Sequence, residues 1–79
     1  MDEPLNRVVE IMARLRGPDG CPWDREQSLE SLKTYLMEES FEVRQAMDAG
    51  DPAALREELG DLLFQVIFQC RIAEEMGWF

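Results

Sequence analysis

The residues of this chain best suited to chemistry are carboxylates. The run Glu38-Glu39-Ser40-Phe41-Glu42 sets acids at i, i+1 and i+4, and Glu58 and Asp61 follow at i, i+3. If both segments are helical, each set contains a pair on one face. At about 100° per residue, Glu39 falls inside an apolar arc, between the Leu32/Leu36/Val43 row and Tyr35 with Ala46, and Glu42 lies at its edge. Glu58 neighbours Leu55 and Leu62, with Asp61 further round the same flank. An isolated glutamate aimed at a core is costly unless its charge is satisfied. Two antiparallel helices would bring Glu39, Glu42, Glu58 and Asp61 together, and like charges about 5 Å apart at an effective dielectric near 20 repel by about 3 kcal/mol per adjacent pair. Such a group must protonate, separate or bind a cation. Oxygen donors without sulfur or imidazole suit Mg²⁺ or Mn²⁺; the spacing lacks the EF-hand pattern that would favour Ca²⁺. The competing reading is a solvated acidic face that lends i, i+4 support to two helices.

The elements that must position these acids leave their own marks. Apolar residues at 5, 8, 9, 11, 12 and 15 predict a helix from Leu5 to Leu15, stopped by Gly17-Pro18. The segment from Gly17 to Asp24 packs glycines, prolines and aspartates together and predicts an ordered loop. Asp24 with Gln27 three residues on reads as the capping box of a short helical turn, and Ser28 as the cap of a longer helix behind it. That helix is expected over 29–49, with Leu29, Leu32, Leu36, Val43 and Met47 on one stripe and Gly50 as its terminator. Asp51-Pro52 then supplies an N-cap and a favoured first residue for a last helix that runs to about Met76 before Gly77. So short a connection makes the two long helices an antiparallel hairpin.

The stretch Leu62 to Cys70 is apolar nearly all the way round, which predicts burial on several sides. Leu63, Phe64, Ile67 and Phe68 are expected to face away from the Leu59/Leu62/Val66 row and to form a subunit interface. No strand pattern, repeat or second domain is visible. The expectation is an all-α domain over 1–79, an N-terminal helix plus an antiparallel hairpin, which completes a four-helix-type bundle on oligomerisation.

Composition narrows the function classes. At 79 residues and 46% hydrophobic, the chain carries more apolar surface than one small core hides, which points to a homo-oligomer, dimer or higher. Eight basic against 17 acidic residues, a net charge of -9, disfavour nucleic-acid polymers and anionic membranes and favour a bound cation. The absence of histidine removes imidazole bases, His-containing triads and His-containing zinc sites. Cys21 and Cys70 form no C-x-x-C pair and read as small hydrophobes in a reducing compartment. An acidic start, Met1-Asp2-Glu3-Pro4, and apolar runs too short for a bilayer lead to an expected cytoplasmic location. Trp23 either plugs the end of a small core or offers a stacking surface for a base. Lys33, Arg56 and Arg71 either meet phosphates or pair with local carboxylates. Gly60, inside a helix at a cost of about 1 kcal/mol relative to Ala, predicts close approach by another backbone or a ligand.

Three segments carry a family likeness: Gly20-Cys21-Pro22-Trp23-Asp24-Arg25-Glu26-Gln27, Glu38-Glu39-x-x-Glu42, and Glu57-Glu58-Leu59-Gly60-Asp61-Leu62-Leu63. Through them nearly the whole chain resembles the MazG nucleoside triphosphate pyrophosphohydrolases of the all-α NTP pyrophosphatase superfamily. The resemblance implies Mg²⁺-dependent hydrolysis of an NTP or dNTP to a nucleoside monophosphate and pyrophosphate. It implies that Glu39, Glu42, Glu58 and Asp61 hold the metal and that Glu38 orients or deprotonates the attacking water; the stacking reading of Trp23 becomes a substrate contact. The family pattern continues with a further helix bearing basic residues, whereas this sequence stops at Gly77-Trp78-Phe79. The likeness is to the first of two tandem domains, so a fragment lacking that helix is expected. The alternative function is a non-catalytic helical module for assembly or nucleotide sensing.

Overall fold

Local capping chemistry sets the ends of the helices in the computed structural model, which describes residues 2–79. Four helices are present: α1 (Asp2–Leu15), α2 (Pro22–Glu26), α3 (Leu29–Ala49) and α4 (Pro52–Glu75). There is no strand among the described residues. α1 starts three residues earlier than the apolar pattern predicts, because Pro4 is tolerated in a first turn, where no intrahelical N–H bond is lost. Past its end the chain folds back, with the Cys21 N–H donating to the Leu15 carbonyl at 2.9 Å. Gly20 makes that reversal possible, since a Cβ there would collide with the Leu15 and Arg14 carbonyl oxygens.

The loop before α3 corrects one expectation. Asp24 does not cap the short helix; it lies within α2, buried, and Cys21 is the N-cap. Pro22 decides this, because its fixed φ and missing N–H suit the first helical position two residues earlier. Gln27 instead closes α2, its Nε2 donating to the Trp23 carbonyl at 3.0 Å. The remaining caps follow the sequence reading. Ser28 and Ser31 form a reciprocal capping box at the start of α3. Gly50 ends α3 in the left-handed conformation, φ 63°. Asp51 Oδ1 accepts from the Ala53 and Ala54 N–H groups at 3.1 and 3.2 Å to start α4. α3 and α4 are therefore the predicted antiparallel hairpin, and α1 packs on α4.

Met12, Leu32, Phe68 and Ile72 form the core, with Leu29 and Ile67 against it. Two further expectations change here. Met47 is 62% exposed, and Ala46 is the buried residue at that end of α3. The tight turn draws the helix ends together, where a methyl fits better than a thioether chain. Phe68 is 2% exposed at the centre of the core and is no interface residue. Because α1 settles on α4, it covers the Ile67/Phe68/Ile72 side. The open apolar face of α4 is therefore not the expected one: Ile67 packs against the core with Phe68, while Leu59 and Val66, expected on the opposite row, are nearly half exposed with Leu63, at i, i+4 and i+7, and Phe64 lies beside them. The all-round burial expected for this stretch is thus only partial within the chain. No helix among the described residues is long and apolar enough to cross a membrane.

Phe68→Ala removes the central ring of this core and should lower unfolding free energy by on the order of 3 kcal/mol, read from urea denaturation. Met47→Ala, at an exposed site, should change it by less than about 0.5 kcal/mol. Equal effects would contradict the packing described.

Candidate metal centre

The hairpin brings together acids that its own sequence keeps apart. Glu39 projects from the middle of α3 toward the first half of α4, where Glu58 and Asp61 stand. One carboxylate oxygen from each of these three lies within 4.8 Å of the others. Glu39 and Glu58 are half-buried and Asp61 is exposed, so the group opens to solvent on the Asp61 side. Glu39 Oε1 and Glu58 Oε2 are sealed from solvent and have no hydrogen-bond partner. Unpaired buried oxygens are rare in folded proteins, and each calls for a cause.

Electrostatics at the centre are those of crowded like charges. Burial, contact with the Glu58 carboxyl, and the negative charges of Glu58, Glu42 and Asp61 push Glu39 up to about 8. Glu42, exposed at the rim, is also raised, first by its contact with the Glu58 carboxyl and then by that group's charge. None of the ion pairs among the described residues involves these acids: Lys33 pairs with Glu30, Arg44 with Asp48, Arg16 with Glu75, and Arg71 with Glu74 and Glu75. Hard oxygen donors that no cation among the described residues neutralises, two of them orphaned, fit a hard divalent ion such as Mg²⁺ or Mn²⁺.

Glu38 is exposed and lies outside the converging set, on the solvent side of α3 next to Glu39. Trp23 packs at the end of the core, its ring meeting Phe68 edge-on at 6.4 Å and Tyr35 at 5.7 Å, and 48% of it is open. Tyr35 precedes Glu39 by four residues, so this aromatic pair and the acids lie along one side of α3. Lys33 and Arg71 take the local-carboxylate role, and Arg56 has no ion pair among the described residues. At Gly60 an added Cβ would meet nothing within 4 Å, so the close approach its type suggests is not made within this chain. Gln65, which sequence reasoning did not single out, also keeps a sealed and unpaired Oε1. The 58/61/65 spacing on one flank of α4 was the available signal.

Fold and site together define an all-α domain whose acidic centre lies across a helical hairpin. Residues 27–79 match the MazG nucleotide pyrophosphohydrolase domain, and the chain belongs to that family. It is 51% identical over 75 residues to the nucleoside triphosphate pyrophosphohydrolase/pyrophosphatase MazG of Thermotoga maritima, covering 95% of this chain and 29% of that protein. It is 49% identical over 76 residues to the nucleoside triphosphate pyrophosphohydrolase of Escherichia coli K12, again 95% of this chain and 29% of the relative. For the Mycobacterium tuberculosis nucleoside triphosphate pyrophosphohydrolase the identity is 48% over 73 residues, 92% of this chain and 22% of the relative. The chain thus spans less than a third of the length of these relatives.

A proton on Glu39 gives the centre a pH signature. Its folded value, about 8, lies above the ordinary 4.5. The folded state therefore binds more protons in that window, and the stability this contributes is present at acid pH and lost as pH rises through about 8. Metal-free protein should melt progressively lower from pH 5 to pH 9, and Glu39→Gln should flatten that slope. Millimolar Mg²⁺ or Mn²⁺ should raise the melting temperature most at the alkaline end, where proton competition is weakest. A melting temperature indifferent to both ions would favour the solvated-face reading.

Proposed function

We propose that the protein is a Mg²⁺-dependent nucleoside triphosphate pyrophosphohydrolase, converting an NTP or dNTP and water to a nucleoside monophosphate and pyrophosphate. The observation that carries this reading is the convergence of Glu39, Glu58 and Asp61 with two orphaned oxygens. The relatives, nucleoside triphosphate pyrophosphohydrolases by name, support the reaction class. Glu39, Glu58 and Asp61, with Glu42 at the rim, would hold the cation; Mn²⁺ satisfies the same donors. Bound there, the ion offsets phosphate charge and lowers the barrier to attack at phosphorus.

The chain's own residues supply position and proton transfer. Glu38, exposed beside Glu39, is open to a water molecule on the solvent side and is assigned to orient it or take its proton. Trp23, with Tyr35 beside it, offers a half-open aromatic surface for the base. Four residues of helix separate Tyr35 from Glu39, a rise of roughly 6 Å, which suits a nucleoside on the aromatics and its phosphates at the acids. A homo-oligomer, dimer or higher, is part of the reading, because the open Leu59/Leu63/Val66 row is the repeat of a helix–helix seam. So is a cytoplasmic location, which free Cys21 and Cys70 support.

Purified protein with millimolar Mg²⁺ and a panel of NTPs and dNTPs should release pyrophosphate and the monophosphate in equal amounts. Asp61→Asn should reduce activity by about 10- to 100-fold, the scale seen when the hydrogen-bond partners of metal ligands are removed. Nucleotide binding without pyrophosphate release would identify a non-catalytic sensing module instead.

Light scattering should report at least a dimer at micromolar concentration, and Leu63→Glu should dissociate it while leaving the helical content intact, because Leu63 lies outside the core. A folded wild-type monomer would end the oligomer reading.

A further inference from the structure

Outside the acidic centre one side chain joins three elements. Arg16, just past α1, has a side chain only 8% exposed. Its Nε and Nη2 donate to both carboxylate oxygens of Glu75, at 2.9 and 2.8 Å, on the last residue of α4. Nη1 donates to the carbonyls of Asp24 and Gln27, the latter at 3.1 Å, at the end of α2. The guanidinium also lies 5.7 Å from the Phe68 ring centroid.

The geometry points to Arg16 as the positioning residue for Trp23: by clamping the end of α2 to Glu75 over Phe68, it fixes the aromatic contact for the base relative to the acidic centre. This inference rests on the reading of Trp23 as a contact for the substrate's base. A five-residue helix cannot hold itself together in water, and its last carbonyls lack intrahelical partners. Arg16 braces one of them, the Asp24 carbonyl, which otherwise accepts only the long 3.4 Å bond from the Gln27 N–H, and the Gln27 carbonyl just past the helix. An exposed second tie, from Arg25 to the Gly17 and Pro18 carbonyls, fixes α2 only to its own loop. Arg16 alone of the two reaches α4. The anchor is stable in charge, since the hydrogen bonds from Arg16 hold the Glu75 carboxyl below its ordinary range despite partial burial, with Arg71 adding to the effect. Lysine cannot replace this arrangement, because a compact ammonium has neither the planar fork for two carbonyls and a carboxylate nor a face for Phe68.

Loosening α2 would move Trp23 without moving Glu39, Glu58 or Asp61, so base affinity should fall while metal binding stays. A Trp78→Phe background leaves Trp23 as the one tryptophan, since the chain has two. In that background Arg16→Lys should red-shift Trp23 emission and increase its quenching by acrylamide. Calorimetric titration with the α,β-methylene analogues of ATP, GTP, CTP and UTP in Mg²⁺ should show binding about tenfold weaker, the scale of one lost base–aromatic contact. The Mg²⁺-induced rise in melting temperature should persist. Trp23→Ala should weaken binding at least as much, and the double variant should be no weaker than Trp23→Ala alone. Glu75→Gln, which keeps the side-chain shape, should shift Trp23 emission in the same direction and provides the test if Arg16→Lys does not fold. Parent-like emission and binding in both clamp variants would overturn the assignment, as would additive losses in the double variant. If Trp23→Ala leaves binding unchanged while Arg16→Lys still moves the emission, the base-contact reading fails and the assignment falls with it.

Discussion

Two glutamates facing each other across a hairpin they cannot leave are the constraint on which this structure turns. Glu39 and Glu58 each keep an oxygen sealed from water without a partner. The hairpin does not let them part, because Gly50 and Asp51 fix the turn while Leu32, Val43, Ala46 and Phe68 lock the register on either side. Relief has to come from a proton or a cation. In the absence of a cation the proton settles on Glu39, whose pKa rises to about 8. Apolar packing thus supplies the free energy that holds the acids in a geometry they would not adopt alone.

The position of α1 follows from the same division. Glu39 lies between Leu32 and Val43, so the acidic centre is bracketed by the main core on one side and by the narrow turn-proximal packing on the other. α1 covers only the core half of α4 and leads into Arg16, whose bonds bring α2 and Glu75 to the same point. The half of α4 that carries Glu58 and Asp61 is left with Leu59 and Leu63 open on another face. Metal chemistry and subunit contact, as proposed, therefore use different faces of one helix segment.

Legibility in the sequence followed the range of the interaction. Caps act over three or four residues, and Ser28, Gly50, Asp51 and Gly77 could all be read directly. The converging acids were also readable, because Glu39 in an apolar arc conflicts with solvation whatever it packs against. Asp24 was misplaced because Pro22 offered a competing helix start within the same few residues. Phe68 and Met47 were misassigned for a different reason. Periodicity shows that a face is apolar but not which neighbour covers it, and that depended on α1 packing against α4. Arg16 carried no signal at all, since its partners at 24, 27 and 75 meet only once three chain segments have docked.

Charge gives the proposed reading its final step. A chain of net charge -9 repels a triphosphate at long range. The cations nearest in sequence to the acids do little to offset this: Lys33 and Arg44 are already paired, which leaves Arg56, two residues before Glu58, without an ion pair among the described residues. A nucleotide could approach Glu39, Glu58 and Asp61 only with its charge largely neutralised. The acids that repel free triphosphate are the groups that would attract its complex with a divalent ion, so discrimination for the complexed form would follow from the same crowding that raises Glu39.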